Sequence, residues 1–353
     1  MEFLKDRHVI NAQNHSLADY PSGLNLIFDY LLGNDLISCL LVNKQFYQQI
    51  STSEKLMSKI VLKIPKGKFS RANRLLRQTD RKYKNICIQG QLEYQIDLLN
   101  PYFKWSSIEF KNVTFGPQLW IFLRQFTETI VELIFVNNPL QLLTNDNFPV
   151  FKHLKVLKIN NKDATSILML NEFKSNFCTI KHLTTSQVGM ETGFVFIHDL
   201  NNMKLETLHI IRPKLGKYNI KDAIFTQKKC LKELTIETIN TKSIEYIWDQ
   251  MEVLKKVTLG AKVTAFKKSM SLRKNNSIEE IVVHNTKVPF EIYEKLVIST
   301  PNLTLLRVSN KNHLGRGKLN INYYKGSELR AKFQEKEDYE IIDMFHELKI
   351  NIE

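Results

Sequence analysis

The chain has 353 residues, 43% hydrophobic and 24% charged, a balance that excludes an intrinsically disordered chain and leaves room for several domains or one long array. Its formal charge of +14 favours acidic partners in general without naming one. No uninterrupted apolar stretch approaches the ~20 residues of a membrane span, no apolar signal segment occupies the first residues, and four cysteines (Cys39, Cys87, Cys178, Cys230) without a C-x-x-C spacing point to reduced thiols in cytoplasm or nucleus.

Residues 1–18 read as a flexible tail, and 19–55 as a small helical module. Pro21 suits the first turn of a helix, and Leu24, Ile27, Phe28 and Leu31 recur at helical spacing. Gly33-Asn34-Asp35 is expected to stop that helix, with Asp35 capping the next. Leu36, Cys39, Leu40 and Val42 then supply a second apolar helix. Two short helices cannot bury all of this apolar surface between them, which leaves some of it for a partner.

The succession Pro21, Leu24, Ile27, Phe28, Tyr30, Leu31, Asp35, Leu36, Leu41, Val42, Asn43, Lys44 and Phe46 resembles the F-box, with Asn43 where cysteine is common. The resemblance implies docking on a Skp-family adaptor and, through it, on a cullin–RING ubiquitin ligase. It assigns adaptor binding to Pro21, Leu24, Ile27, Phe28, Leu31, Asp35, Leu36, Leu40 and Val42, with Pro21 and Asp35 setting the helices.

Lys59 to Lys84 carries ten basic residues against one acid, Asp80. Ser70 is expected to cap a helix here, with Ala72, Leu75, Leu76, Thr79 and Tyr83 toward the core and Arg74, Arg77, Arg81 and Lys84 in solvent. The run reads as a solvated helix face, and nucleic acid is not an expected partner.

Beyond it, an apolar triplet of the form L-x-x-L-x-I returns nine times. The triplets centre on Ile108, Leu133, Leu157, Leu183, Leu208, Leu234, Val257, Ile281 and Leu306, 23 to 26 residues apart, and weaker copies lie at Ile60 and Ile86. Such a period is the signature of the leucine-rich repeat. In each copy the alternating pair faces one side of a short strand, and the rest of the unit returns the chain. Pro289–Ser299, with Phe290, Tyr293, Leu296 and Val297 on one face, and Ser243–Met251, with Ile244, Ile247 and Trp248, read as return helices. Many such repeats place Asn or Cys three residues after the triplet, and only Asn138 fits that position here.

The expected architecture is therefore α/β: a leucine-rich-repeat solenoid, or horseshoe, of about ten to eleven strand–helix repeats over 56–310, preceded by the F-box. Residues 311–353 form an insertion and cap, with Leu319, Ile321 and Tyr323 alternating as a strand and a final helix and strand over Ile341–Ile350. The concave strand face is the default binding surface of a solenoid, so Glu109, Lys158, His209 and Arg307 are candidate target-binding residues.

No catalytic, phosphate-loop or metal-ligand motif is present, so the chain is expected to be neither an enzyme nor a cofactor carrier. The function implied is substrate recognition for a ubiquitin ligase: the F-box holds the adaptor and the repeats hold an unknown protein target. The rival expectation is a repeat scaffold with a helical N-terminal cap and no link to a ligase.

Overall fold

In the computed structural model the described residues are 21–79, 81–90, 103–113, 118–138, 149–160, 179–185, 203–210, 224–236, 241–259, 269–284, 290–309, 320–324 and 330–332. The expected tail at 1–18 and the final helix and strand at Ile341–Ile350 lie outside them. The chain divides into two compact units, Met1–Leu62 with Asp80–Asn85 and Lys63–Thr79 with Ile86–Glu353.

Four helices, not two, build the first unit: α1 (Pro21–Tyr30), α2 (Gly33–Cys39), α3 (Lys44–Thr52) and α4 (Glu54–Met57). The extra helices follow from two polar caps. Asn43 Oδ1 accepts the Phe46 amide at 2.7 Å, and Ser53 Oγ accepts the Leu56 amide at 3.3 Å, each meeting an amide that a helix start leaves unpaired. Phe28, Leu36, Leu40, Ile50, Leu56, Met57 and Ile60 close into one core, against which Leu24, Leu31, Cys39, Phe46 and Tyr83 pack. Phe28 meets Phe46 edge-on, with ring centroids 5.2 Å apart.

The strands are β1 (Val61–Ile64), β2 (Asn85–Gln89), β3 (Ser107–Lys111), β4 (Glu132–Val136), β5 (Val156–Asn160), β6 (His182–Thr185) and β7 (Thr207–Ile210). They continue as β8 (Glu233–Ile236), β9 (Lys256–Leu259), β10 (Glu280–His284), β11 (Leu305–Ser309), β12 (Asn320–Tyr324) and β13 (Arg330–Lys332). Four further helices are α5 (Phe69–Leu76), α6 (Gln118–Arg124), α7 (Thr241–Gln250) and α8 (Phe290–Ile298). The sheet runs β1 to β13 in chain order. Neighbours from β3 to β11 are parallel, whereas β12 and β13 pair antiparallel at the end. The fold is thus α/β on a largely parallel sheet.

The register of that sheet matches the period in the sequence. Ile108, Leu133, Leu157, Leu183, Leu208, Leu234, Val257, Ile281 and Leu306 stand side by side across nine strands, every one buried. The first members of the triplets, from Trp105 to Leu303, are buried as well, three residues earlier.

Between first and central members the backbone forms a second regular device. Ser106 O accepts both Val131 N (2.8 Å) and Glu132 N (3.0 Å). The same fork repeats from Val131 O, Lys155 O, Lys181 O, Glu206 O, Lys232 O, Lys255 O and Glu279 O, each to two consecutive amides of the next strand. A constant period keeps this ladder in step, because an added or lost residue would misplace the acceptor.

Aromatic rings fill the early core. Phe110 stacks on Phe135 at 5.6 Å and meets Phe122 of α6 edge-on at 6.3 Å. On α7, Ile244, Ile247 and Trp248 are buried as the sequence pattern requires. On α8 the buried residues are Ile292 and Leu296, with Val297 half-buried; the side chains of Phe290 and Tyr293 lie outside the described set. Helix α5 departs further from expectation. Its N-cap is Lys68, not Ser70, and its buried face is Phe69, Asn73 and Leu76, while Leu75 points outward. Starting the helix two residues early turns a different stripe inward.

The one residue matching the asparagine pattern is buried and fully used. Asn138 Oδ1 accepts Val113 N at 2.7 Å, and its Nδ2 donates to Phe110 O at 2.8 Å, tying one strand exit to the previous one. Asn138→Ala leaves a buried amide and carbonyl unpaired. It is expected to cost about 2–4 kcal/mol, seen as a lower urea midpoint at unchanged slope. An unchanged midpoint would remove this residue from the account.

Candidate functional site

The segment that resembles the F-box is nearly all apolar, so its sequence alone cannot say which apolar residues build the core and which remain outside. The structure divides them. Of the nine residues assigned to adaptor binding, Phe28 (1% exposed), Leu36 and Leu40 are core, and Leu24 and Leu31 are half-buried against it. Ile27, at 57%, and Val42, at 65%, are exposed. Pro21 opens α1, as expected. Asp35 is exposed, and its position corrects the sequence reading. It is not the cap of α2 but sits inside the first turn, where Oδ2 accepts the Leu32 amide at 3.3 Å. Val42 likewise lies in a turn, because α2 stops at Cys39.

The break between α1 and α2 has a steric cause. A Cβ on Gly33 would collide with the Lys59 carbonyl oxygen, so only glycine lets these two backbone segments approach. Lys59 secures the same junction from the other side, its Nζ donating to the carbonyls of Asp29 and, at 3.4 Å, Leu31. Lys55 Nζ pairs with Asp29 at 2.5 Å. These contacts hold the C-terminal end of α1, where free carbonyls favour cations.

With that junction fixed, the face of α1 turned from the core is apolar too. Leu26, Ile27 and Tyr30 are related by three or four residues, and Tyr30 is 88% exposed. Leu32, Ile37, Leu41 and Val42 continue the exposed set through α2 and its turn, and Tyr47 adds to it from α3. Eight of the fifteen large hydrophobic side chains exposed among the described residues fall within these 22 positions. A folded unit rarely leaves apolar side chains so concentrated in water without a partner for them. Most of this surface was missed in the sequence: Leu26, Tyr30, Leu32, Ile37 and Leu41 were not among the assigned contacts.

The far side of the unit is polar and internally paired. Arg81 donates to Tyr83 Oη at 2.9 Å and lies over the Tyr47 ring at 4.7 Å from its centroid. Glu54 accepts from Lys84 at 2.9 Å and lies 3.7 Å from Lys82. The Lys84 hydrogen bond and charge, with the charge of Lys82, hold the Glu54 carboxyl below its ordinary value. A lowered carboxyl favours the folded state above its unfolded pKa, so this contact is present at neutral pH and is lost as Glu54 protonates in acid.

The candidate target residues stand on the sheet face opposite the core, all in one row of the register. Glu109 (β3), Lys158 (β5) and His209 (β7) are half-buried, and Arg307 (β11) is exposed. They are not brought together. Two strands separate each of the first three from the next, about 10 Å at ordinary sheet spacing, and Arg307 is four strands further. Lys158 is already engaged by Glu132 at 2.7 Å, and Glu132 also accepts from Ser107 Oγ at 2.8 Å. In the neighbouring row Lys256 pairs with Glu280 at 3.0 Å. Two members of this face, Cys87 and Val282, are buried. Burial, with the nearby Glu109 charge, raises the Cys87 thiol pKa, which makes it a weak nucleophile at neutral pH.

Among the described residues no cluster of His, Cys, Asp and Glu could hold a metal ion, and no helix is long and apolar enough to cross a membrane. No known family model and no curated protein matches this chain.

Proposed function

We propose that the chain is the substrate-recognition subunit of a Skp adaptor–cullin–RING ubiquitin ligase: an F-box on its first unit and a leucine-rich-repeat solenoid on its second. The observation that carries the reading is the exposed apolar surface of Leu26, Ile27, Tyr30, Leu32, Ile37, Leu41 and Val42, in the segment whose residue order resembles the F-box. An adaptor groove that covers these side chains removes their apolar area from water, the main driving force of association. The in-register row of repeat residues supports the solenoid reading of the sheet. The chemistry in this account belongs to partner enzymes. The chain contributes proximity, holding a target where a charged conjugating enzyme can reach it.

Co-expression with a Skp-family adaptor tests the proposal. The wild-type chain is expected to co-purify with it. The variant Leu26→Ser/Ile27→Ser/Leu41→Ser/Val42→Ser alters only exposed positions, so it is expected to fold normally yet bind the adaptor about 100-fold more weakly or worse. A folded wild-type chain that ignores the adaptor refutes the ligase reading and leaves the repeat scaffold.

A further inference from the structure

The ten basic residues from Lys59 to Lys84 separate into two groups. In the first unit Lys59, Arg81, Lys82 and Lys84 are engaged by carbonyls, tyrosine hydroxyls or Glu54. The other six, Lys63, Lys66, Lys68, Arg71, Arg74 and Arg77, are all exposed, and among the described residues none of them is in an ion pair. Residues 63–79 contain no Asp or Glu. Elsewhere in the same unit basic side chains are commonly paired, as with Lys152, Lys158, Lys232, Lys255, Lys256 and Arg273. The accumulation of free cations at 63–77 is therefore local, and its mutual repulsion is relieved by nothing in the described structure.

The cations have a definite arrangement. Lys68, Arg71, Arg74 and Arg77 recur every third residue along α5 and its two caps. At about 100° per residue they fan over about 180° of the helix surface and along about 14 Å of its length. Their arc lies opposite the buried face of Phe69, Asn73 and Leu76, so nearly the whole solvent side of this helix is cationic. Lys63 and Lys66 extend the charge onto β1 and the turn that follows.

The composition of this face selects among polyanions. A specific protein interface needs an apolar centre, and Leu75 is the single large exposed hydrophobe in the segment, at 36%. Single-stranded nucleic acid is held largely by stacking on aromatics, and the segment's one aromatic, Phe69, is buried. A duplex phosphate backbone asks for cations alone, with the arginine fork suited to phosphate oxygens. The ~12 Å major groove of B-form DNA admits a surface helix with cations on both flanks, whereas the major groove of duplex RNA is too narrow.

We infer that the face of α5, with Lys63 and Lys66, docks on the phosphate backbone of double-stranded DNA without reading sequence.

The test is fluorescence anisotropy with the full chain and a labelled mixed-sequence DNA duplex of about 24 base pairs across a salt series. Binding is expected to weaken steeply with salt, with a log–log slope approaching about −5 for six phosphate contacts. Arg71→Gln/Arg74→Gln/Arg77→Gln is expected to weaken binding at least tenfold at low salt and to flatten the slope by about three. Lys63→Gln/Lys66→Gln/Lys68→Gln, an independent variant outside the helix body, is expected to act in the same direction. Lys152→Gln/Lys232→Gln/Lys255→Gln removes as much charge from paired positions and is expected to shift binding less than twofold. Undiminished binding by both patch variants overturns the inference. So does equal or tighter binding of an RNA duplex of the same length, or displacement of DNA by polyglutamate of matched charge, which would point to an acidic polypeptide.

Discussion

Replacing Phe28 and Leu36 together by alanine is expected to unfold the helical unit while leaving the sheet intact. Both side chains are fully enclosed in a core of seven buried residues, and Phe28 carries the edge contact to Phe46. Each truncation at such a site costs about 2–5 kcal/mol, and a unit this small holds on the order of 3–7 kcal/mol in all. The check is hydrogen exchange: amides of α2 and α4 should lose protection in the double variant while those of β4 to β9 keep it. Retained protection at Leu40 and Met57 would show that the core is drawn wrongly. The same expectation governs how adaptor binding should be probed, because loss of binding in a Phe28 or Leu36 variant reports unfolding, whereas loss in an Ile27 or Val42 variant reports contact.

Asn275→Leu is expected to be the most damaging single polar substitution in the second unit. Asn275 is buried, and its Nδ2 donates to Trp248 O and Met251 O, each at 3.0 Å, so it gathers free carbonyls at the end of α7. Its Oδ1 accepts from Ser277 N at 2.9 Å and from Ser277 Oγ at 2.7 Å, which fixes the approach to β10. Leucine matches the volume but leaves two carbonyls and an amide without partners, at a cost of about 3–5 kcal/mol. Urea unfolding should show the loss, and Trp248 emission should move to the red as the end of α7 loosens. A midpoint within error of the wild type would mean that water replaces the side chain there.

The repeat was legible because it is imposed by backbone geometry. A strand that buries alternate residues writes a two-residue pattern, and a ladder that forks from each strand to the next fixes the interval, so Leu133 and Leu157 could be aligned before any coordinates existed. Asn138 could be picked out for the same reason, while Asn275 and Gln227 could not. Gln227 Oε1 accepts Leu205 N at 3.0 Å from within a turn whose position no period sets. Equally hidden were Asn112 and Asn137, both at φ 52°, and Gly90 at φ 82°, which turn the chain at successive strand exits. Asparagine and glycine tolerate that left-handed backbone, but both occur in too many other roles to be read there in advance.

The helical module was legible in outline and ambiguous in detail. Its residue order could be matched to the F-box pattern, but α1 is apolar on two faces, and helical periodicity cannot tell the face that meets Ile50 and Met57 from the one that meets water. Ile27 and Phe28 are neighbours with opposite fates, decided by where the chain returns after Gly33, which depends on the carbonyl of Lys59, 26 residues away in sequence. The outward row of the sheet posed the reverse problem. Glu109, Lys158, His209 and Arg307 were picked as exposed, but exposure on a strand face says nothing of lateral pairing, and Lys158 already has its partner in Glu132.

The most direct measurement is hydrogen exchange on the full chain with and without a purified Skp-family adaptor. The account predicts a stable complex in which residues 21–52 gain protection, most of all around Ile27, Ile37 and Leu41, while β3 to β11 exchange as before. A folded chain that forms no complex, or a complex that protects the sheet and leaves 21–52 unchanged, would contradict it.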